Sequence, residues 1–457
     1  MGMPKDTPIK RGALGRGLAL SIASARAGGA FALDGALRKL GGRGDESRLI
    51  REAQRFASSL GDLKGSYVKI GQMFALLGEH FLPAPLTTAL HDLESDAKPL
   101  DWRHIRPVIV SALGDRADRL VIQPEALAAA SLAQVHRATV SDSEASVVVK
   151  VQYPTVVDVL EEDFNAVVRM LRLARWIPAS RDFDSWLSLL RIQLMAEVDY
   201  PRERYMAEQV TQAVAQWRYT QRLGAPVLVP RYYAELCADG VLVMDYMAGE
   251  RLTASLVQQL NQDMRNALGK TMLQLFFLEL FDLGLMQADP NFGNYLIDPA
   301  SGSLVLLDFG SVIELDVAVR QALADTMIGG LEGNDTLLMD GLERLGCLRS
   351  DSSDYARDTF RGFIRHLLEP LRPPETIPND YLNAEGQYCW ATSGLLTRAG
   401  KKAANSAASR HFSIPNAEFA LIARKLTGVF TFIAMLEAEF NAWDVVAPFI
   451  EQREVAQ

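Results

Sequence analysis

Apolar side chains recur at three- and four-residue steps through Leu49, Ala53, Phe56, Ala57 and Leu60, and Val68, Met73, Leu76 and Leu77 continue an apolar face. That spacing lines one side of a helix, so residues 45–79 predict one or two helices. Pro83 and Pro85 end the run, and shorter helices are expected over 86–94 and 102–113. The pattern then changes to strands from about Leu120 to Tyr153, where Val147-Val148-Val149-Lys150-Val151 is β-branched except for one cation. Helical spacing returns over 156–177 and 183–210, the second carrying Glu197, Asp199 and Glu203. Residues 225–230 and 241–246 read as the last strands of the same sheet region. One long helix is expected over 256–283. Two short apolar strands, Tyr295-Leu296-Ile297-Asp298 and Leu304-Val305-Leu306-Leu307, flank the turn-forming Pro299-Ala300-Ser301-Gly302-Ser303. After Gly310 the pattern is mostly helical. Residues 401–413 are small, polar and basic, as a loop would be. Residues 421–436 are apolar but carry Arg424 and Lys425, too short and too charged to span a bilayer, and predict a core helix.

Composition narrows the class. At 457 residues the chain is long enough for two lobes and an extension, and 49% apolar with 23% charged residues is the balance of a globular protein. A net charge of −9 argues against nucleic acid as a partner. Cys237, Cys347 and Cys389 form no metal or disulfide pattern, which fits a reducing compartment. The six histidines show no ligand spacing and read as structural or surface residues. The first 43 residues differ from the rest: eight cations against Asp6 and Asp34 give +6, leaving −15 for the remainder. No uncharged run there reaches the roughly 18–20 residues a spanning helix needs. The stretch reads either as a flexible basic tail or as one lying on an anionic membrane surface, with an organellar transit peptide as a lesser alternative.

The chemistry is concentrated in Gln287-Ala288-Asp289-Pro290-Asn291-Phe292-Gly293-Asn294 and, after the expected hairpin, Asp308-Phe309-Gly310. Phosphoryl transfer needs a carboxylate facing the acceptor hydroxyl and an Asn and a second carboxylate on Mg²⁺. Asp289, Asn294 and Asp308 supply that set in order, with a strand–turn–strand to bring them to one mouth. A chance Asp-Phe-Gly in a surface turn would lack the rest. Such a site also needs a strand lysine for the α/β-phosphates, and Lys150 is the candidate, with Glu197, Asp199, Glu203 and Glu208 as possible partners. Ahead of that strand, where kinases carry a glycine-rich loop, stands Ala128-Ala129-Ala130-Ser131-Leu132-Ala133-Gln134. Alanine restricts positive φ and close backbone approach to phosphate, so this loop should be stiffer. Asp245-Tyr246-Met247 reads as the inter-lobe hinge whose backbone would meet adenine.

The alanine-rich loop, Lys150, Glu197-Val198-Asp199 with Glu203 six residues past Glu197, the 287–294 loop and Asp308-Phe309-Gly310 together resemble the UbiB/ADCK (AarF) family of atypical protein-kinase-like proteins. Lys69-Ile70-Gly71-Gln72 matches that family's Lys-x-Gly-Gln signature. The resemblance covers roughly residues 46–320. It implies an α+β, bilobal protein-kinase-like fold, with a small mixed lobe holding an antiparallel sheet, a mainly helical large lobe and an N-terminal helical extension. The expected division is 1–45 tail, 46–118 extension, 119–247 small lobe and 248–457 large lobe. It further implies ATP or ADP with Mg²⁺ as cofactors, Glu203 as the partner of Lys150, Lys69 and Gln72 reaching into the nucleotide pocket, and Glu197 and Asp199 holding the extension. The nucleotide would then meet Ala128, Ala129, Ala130, Ser131, Lys150, Asp245, Met247, Asn294 and Asp308. Family members serve ubiquinone and isoprenoid-lipid metabolism at membranes, which suggests a membrane surface or isoprenoid lipid, and proteins of quinone metabolism, as partners. The expected place is cytoplasmic and peripheral at the inner face of a membrane, or the organellar equivalent. An active small-molecule or protein kinase and a non-enzymatic nucleotide sensor are the alternatives. Two positions depart from the family pattern: Gln287 stands where the loop usually begins with His, and Ala133 where the alanine-rich loop usually has Gly.

Overall fold

The apolar spacing that opens the chain folds into α1 (Glu46–Leu63) and α2 (Ser66–Gly78), followed by α3 (Ala84–His91) and α4 (Trp102–Leu113). A computed structural model describes residues 46–63, 65–78, 82–93, 99–174, 176–177, 181–216, 224–289, 291–399 and 417–456. The basic tail and the loop expected at 401–413 lie outside these. Phe56, Leu60, Ile70 and Leu86 are fully buried where α1, α2 and α3 meet, as their helical spacing requires. Asp101 caps α4 by accepting the amide of Arg103 at 3.0 Å.

The described chain divides into two compact units, which do not follow chain order. One contains the chain to Tyr200 and Tyr233–Met244; the other contains Pro201–Tyr232 and everything from Asp245. In the first unit, β1 (Leu120–Ala129), β2 (Ala133–Val140) and β3 (Ser146–Gln152) pair antiparallel in sequence order. β4 (Val227–Leu228) belongs to the second unit, and β5 (Val241–Asp245) completes the four-stranded sheet beside β3. The period of two is plain in β3. Val147, Val149 and Val151 are completely buried on one face, while Val148 and Lys150 point to the other. Helices α5 (Val156–Leu173) and α6 (Arg181–Ala196) follow the sheet. Ser66 of α2 donates to the buried Asp163 of α5 at 2.5 Å, and Phe74 stacks on Phe164, tying the N-terminal helices to the sheet-bearing part.

The helix expected over 183–210 is two helices. α6 ends at Ala196 and α7 (Tyr200–Gln216) begins after a break at Glu197-Val198-Asp199. Pro201 is the reason: it lacks an N–H and its ring clashes with the preceding turn, but it is tolerated in a first turn. Glu197 and Asp199 therefore sit in a junction, and Glu203 in the first turn of the next helix.

In the second unit the expected long helix is also interrupted. Thr253 caps α8 (Ala254–Gln259), and Asn261 caps α9 (Gln262–Phe277) by accepting the amide of Met264 at 2.9 Å. A π-helical turn, Leu278–Leu283, completes the run. Residues 225–230 do not join the first unit's sheet. β4 pairs in parallel with β8 (Ser303–Leu306), which is hydrogen-bonded to β7 (Tyr295–Asp298) as the expected hairpin. β6 (Leu285–Gln287) pairs antiparallel with β9 (Val312–Glu314). Helices α10 (Val317–Glu332), α11 (Asp335–Arg344), α12 (Asp354–Leu367), α13 (Ala417–Met435) and α14 (Trp443–Ala456) follow. Their core includes Phe276, Phe277, Tyr388, Phe430, Phe432 and Phe440, all fully buried. Among the described residues no helix is long and apolar enough to cross a membrane.

Candidate functional site

Pairing of β6 with β9 sets Gln287 opposite Val312, which brings the loop after β6 beside the Asp-Phe-Gly segment that precedes β9. Gln287 then links the two directly. Its amide donates to the carbonyl of Asp308 at 2.6 Å, and its side-chain oxygen accepts the backbone N–H of Asp289 at 3.0 Å. A primary amide offers a donor and an acceptor on one planar group, so Gln287 satisfies both segments at once.

The 289–294 loop is held by its own side chains. Asp289 Oδ1 accepts the amide of Asn291 at 3.2 Å, Asn291 accepts that of Gly293 at 2.9 Å, and Asn294 Nδ2 donates to Asp289 Oδ2 at 3.2 Å. Asp308 Oδ1 accepts the amide of Gly310 at 2.9 Å. Asn294, Asp308, Gln287 and Phe309 line one small recess together with Glu279 and Tyr295. The second unit thus brings Asp289, Asn294 and Asp308 together. With the Asn294 amide nitrogen directed at Asp289, its side-chain oxygen and the Asp308 carboxylate are hard oxygen donors that suit Mg²⁺. Among the described residues no cluster of three or more His, Cys, Asp or Glu could hold a metal ion. Mg²⁺ does not require one, since one or two carboxylates plus phosphate oxygens suffice.

Two further groups in this unit escaped sequence reasoning. Arg202 of α7, next to the completely buried Glu203, donates to the carbonyls of Gly310 at 3.2 Å and Val312 at 2.6 Å. It fixes the backbone just past Asp308. From α13, Arg424 Nη2 lies 4.0 Å from Asp289 Oδ1. Its neighbour Lys425 is buried, 3.3 Å from Glu279 Oε2 of the π-helical turn and 3.1 Å from the Tyr295 hydroxyl. Burial works against the Lys425 ammonium, but the Glu279 carboxylate and the Tyr295 hydroxyl outweigh it and raise its pKa above the ordinary lysine range. The available signal was a pair of adjacent cations inside an apolar helix, which are costly to bury unless partnered.

The first unit holds the cationic candidates. Lys150 lies on β3 opposite Val135 of β2, with its ammonium 5.2 Å from the centre of the Tyr200 ring. Ala128 and Ala129 end β1, and Ala130-Ser131-Leu132 turns into β2, closed by the Ala130 N–H donating to Ala133 O at 2.8 Å. The alanine-rich segment is therefore a strand–turn–strand. Gln134 exchanges two hydrogen bonds with Leu100, at 2.8 and 3.2 Å, which anchors this hairpin to the approach to α4. On α2, Lys69 pairs with Glu197 at 2.6 Å, both side chains about one-fifth exposed, and Gln72 donates to the Leu93 carbonyl at 3.0 Å. Asp199 is exposed in the same junction as Glu197. Asp245 ends β5. Its N–H donates to Arg231 O at 3.0 Å and its carboxylate accepts the Arg231 N–H at 3.2 Å, which fixes the backbone leading to Met247.

A family model for the ABC1 atypical kinase-like domain matches residues 92–340. The chain is 30% identical over 396 residues to the atypical kinase COQ8B, mitochondrial, of Rattus norvegicus, covering 86% of this chain and 71% of that protein. It is 26% identical over 404 residues to a probable serine/threonine-protein kinase, abkA, of Dictyostelium discoideum, covering 85% of this chain and 69% of that one. With the atypical kinase COQ8, mitochondrial, of Schizosaccharomyces pombe it shares 26% identity over 323 residues, which is 70% of this chain but about half, 51%, of that protein's length. A solved complex of Rv3197 with erythromycin from Mycobacterium tuberculosis has a similar fold, with a TM-score of 0.58 at 22% identity over 87% of this chain and 95% of that one.

Proposed function

Because the chain belongs to the ABC1 atypical kinase-like family, we propose that it binds Mg-ATP or Mg-ADP and turns nucleotide over as an atypical kinase or ATPase. The observation that carries this reading is the assembly of Asp289, Asn294 and Asp308 in one hydrogen-bonded site, with Gln287 joining the two segments that supply them. In this reading Asp308 and Asn294 hold Mg²⁺, which neutralises phosphate charge. Asp289 orients the acceptor hydroxyl or water and receives its proton. Lys150 contacts the α/β-phosphates, with Glu203 as its partner, and the alanine-rich turn and the 245–247 backbone complete the nucleotide contacts. Lys69 and Gln72 restrict access by peptide acceptors, and their ties to Glu197 and to the Leu93 carbonyl support an extension held in place.

The biological setting we propose is support of ubiquinone or other isoprenoid-lipid metabolism, with the chain peripheral at a membrane. Its support is the similarity to COQ8 proteins described as mitochondrial and the +6 charge of the first 43 residues. The test is phosphate release from Mg-ATP by the purified chain, with and without vesicles containing anionic phospholipid, beside Asp289→Asn. Slow release that vesicles raise and Asp289→Asn abolishes is the expected result. Tight nucleotide binding with no release under either condition would replace the enzyme by a nucleotide-sensing scaffold.

A further inference from the structure

The 289–294 loop contains no lysine or arginine. Phosphoryl transfer nonetheless spreads negative charge over three equatorial oxygens of the group in flight, and a cation aimed at them accounts for much of the rate in related chemistry. The second unit brings one to the loop from far along the chain. Arg424 of α13 places Nη2 4.0 Å from Asp289 Oδ1, with both side chains about one-fifth exposed. We propose that Arg424 is a catalytic residue that contacts the terminal phosphoryl group during transfer; the proposal rests on the nucleotide-turnover reading above.

The position of Arg424 is built into the fold. The next residue, Lys425, is 3% exposed and fastens α13 to Glu279 at 3.3 Å and to the Tyr295 hydroxyl at 3.1 Å. Tyr295 directly follows Asn294, so the residue that pins the helix and the residue that would hold the metal are adjacent in the chain. Helix α13 also packs along α9, which leads through the π-helical turn into β6. Arg424 is thus held in register with the loop at both of its ends. A guanidinium suits the task because its planar fork matches two phosphate oxygens and it never loses its charge.

The acceptor oxygen forms a bond to the terminal phosphorus, its proton passes to Asp289, and the bond from that phosphorus to the β–γ bridging oxygen breaks with its electron pair leaving on ADP. Arg424 forms no bond in this sequence. It offsets charge on the non-bridging oxygens and sits beside the carboxylate that takes the proton. An ordinary ion pair with Asp289 is the competing explanation, and it predicts different behaviour.

The experiment measures phosphate release together with Mg-ATP and Mg-ADP affinity for the full chain, Arg424→Gln, Arg424→Lys and Arg424→Gly, each checked for an unchanged melting temperature. The expected result is a loss of about a hundredfold or more in release by Arg424→Gln. Mg-ATP affinity should fall while Mg-ADP affinity stays near the wild-type value, and ethylguanidinium should partly restore release by Arg424→Gly. A residue that only braces Asp289 or α13 would shift both nucleotides alike and would not be rescued by a free guanidinium, and either finding overturns the proposal. So does wild-type release by Arg424→Gln. If the wild-type chain binds nucleotide but releases no phosphate, the ATP-against-ADP comparison still decides. If it binds no nucleotide at all, the proposed function falls and this inference with it.

Discussion

Replacing Lys425 by Met tests whether the buried cation organises the catalytic segment. Met matches the length of the lysine stem, so little volume is lost and the main change is electrostatic. Glu279 is 9% exposed and Lys425 3%. Removing the ammonium leaves a buried carboxylate without its cation and the Tyr295 hydroxyl without its donor. Breaking a buried pair from one side costs about 3–5 kcal/mol. For a folding unit of about 150–250 residues each kcal/mol lowers Tm by about 2–4 °C, so the expected fall is roughly 6–20 °C by calorimetry. The pair's alternative is informative. Lys425→Met/Glu279→Gln removes both charges yet keeps an acceptor for the Gln287 backbone N–H that Glu279 now receives, and it should recover at least half of the loss. Because Lys425 has its pKa raised above 10.5 in the folded chain, its contribution is complete below pH 10.5 and lost only as pH rises through the folded value. A Tm fall no larger than a surface substitution gives, about 0.5 kcal/mol or less, would refute the reasoning. A double variant no more stable than the single one would do the same.

Three further outcomes follow from the geometry. Gly249 has φ +146°, and a Cβ there would lie 2.9 Å from Leu296 Cβ and 3.1 Å from Ile297 O, so Gly249→Ala should cost about 1–3 kcal/mol in chemical denaturation. Burial works to raise the Glu369 carboxyl, but two bonds from Arg398 and one from the Tyr388 hydroxyl outweigh it and hold it below its ordinary 4.5. Its stabilisation is present above that pH and lost as pH falls through the folded value, and Glu369→Gln should flatten this acid limb of a Tm-against-pH curve. Gln287→Leu should weaken Mg-dependent nucleotide binding or turnover about 10–100-fold by releasing Asp308 and Asp289, whereas Gln287→His, which also pairs a donor with an acceptor, should retain most of it.

The acidic half of the site was legible because its geometry is local. Asp289, Asn294 and Asp308 are separated by one short hairpin whose turn residues are explicit, and Lys150 is a lone cation in a β-branched strand. Elements whose identity depends on distant partners were not. Residues 225–230 have the composition of a strand in any sheet, and nothing in them specifies parallel pairing with Leu304 and Val305. The break at 197–199 was marked by Pro201, and the break before α9 by the capping side chain of Asn261, but apolar periodicity runs through both and hid them. Arg202 and Arg424 lie far in sequence from the groups they meet; Lys425 and Tyr295 are 130 residues apart. Such pairings appear only when the fold is closed. Gln287 illustrates the converse, since the departure from the expected His is chemically small once both hydrogen bonds are seen.

The central claim is that Asp308 and Asn294 make a magnesium-dependent nucleotide site. Titration calorimetry of the full chain with ADP and ATP, with Mg²⁺ and with chelator, beside Asp308→Asn, tests it most directly. Binding that requires Mg²⁺ and is lost in Asp308→Asn, with Tm unchanged, is the predicted result. Equal binding with chelator, or by Asp308→Asn, would contradict it.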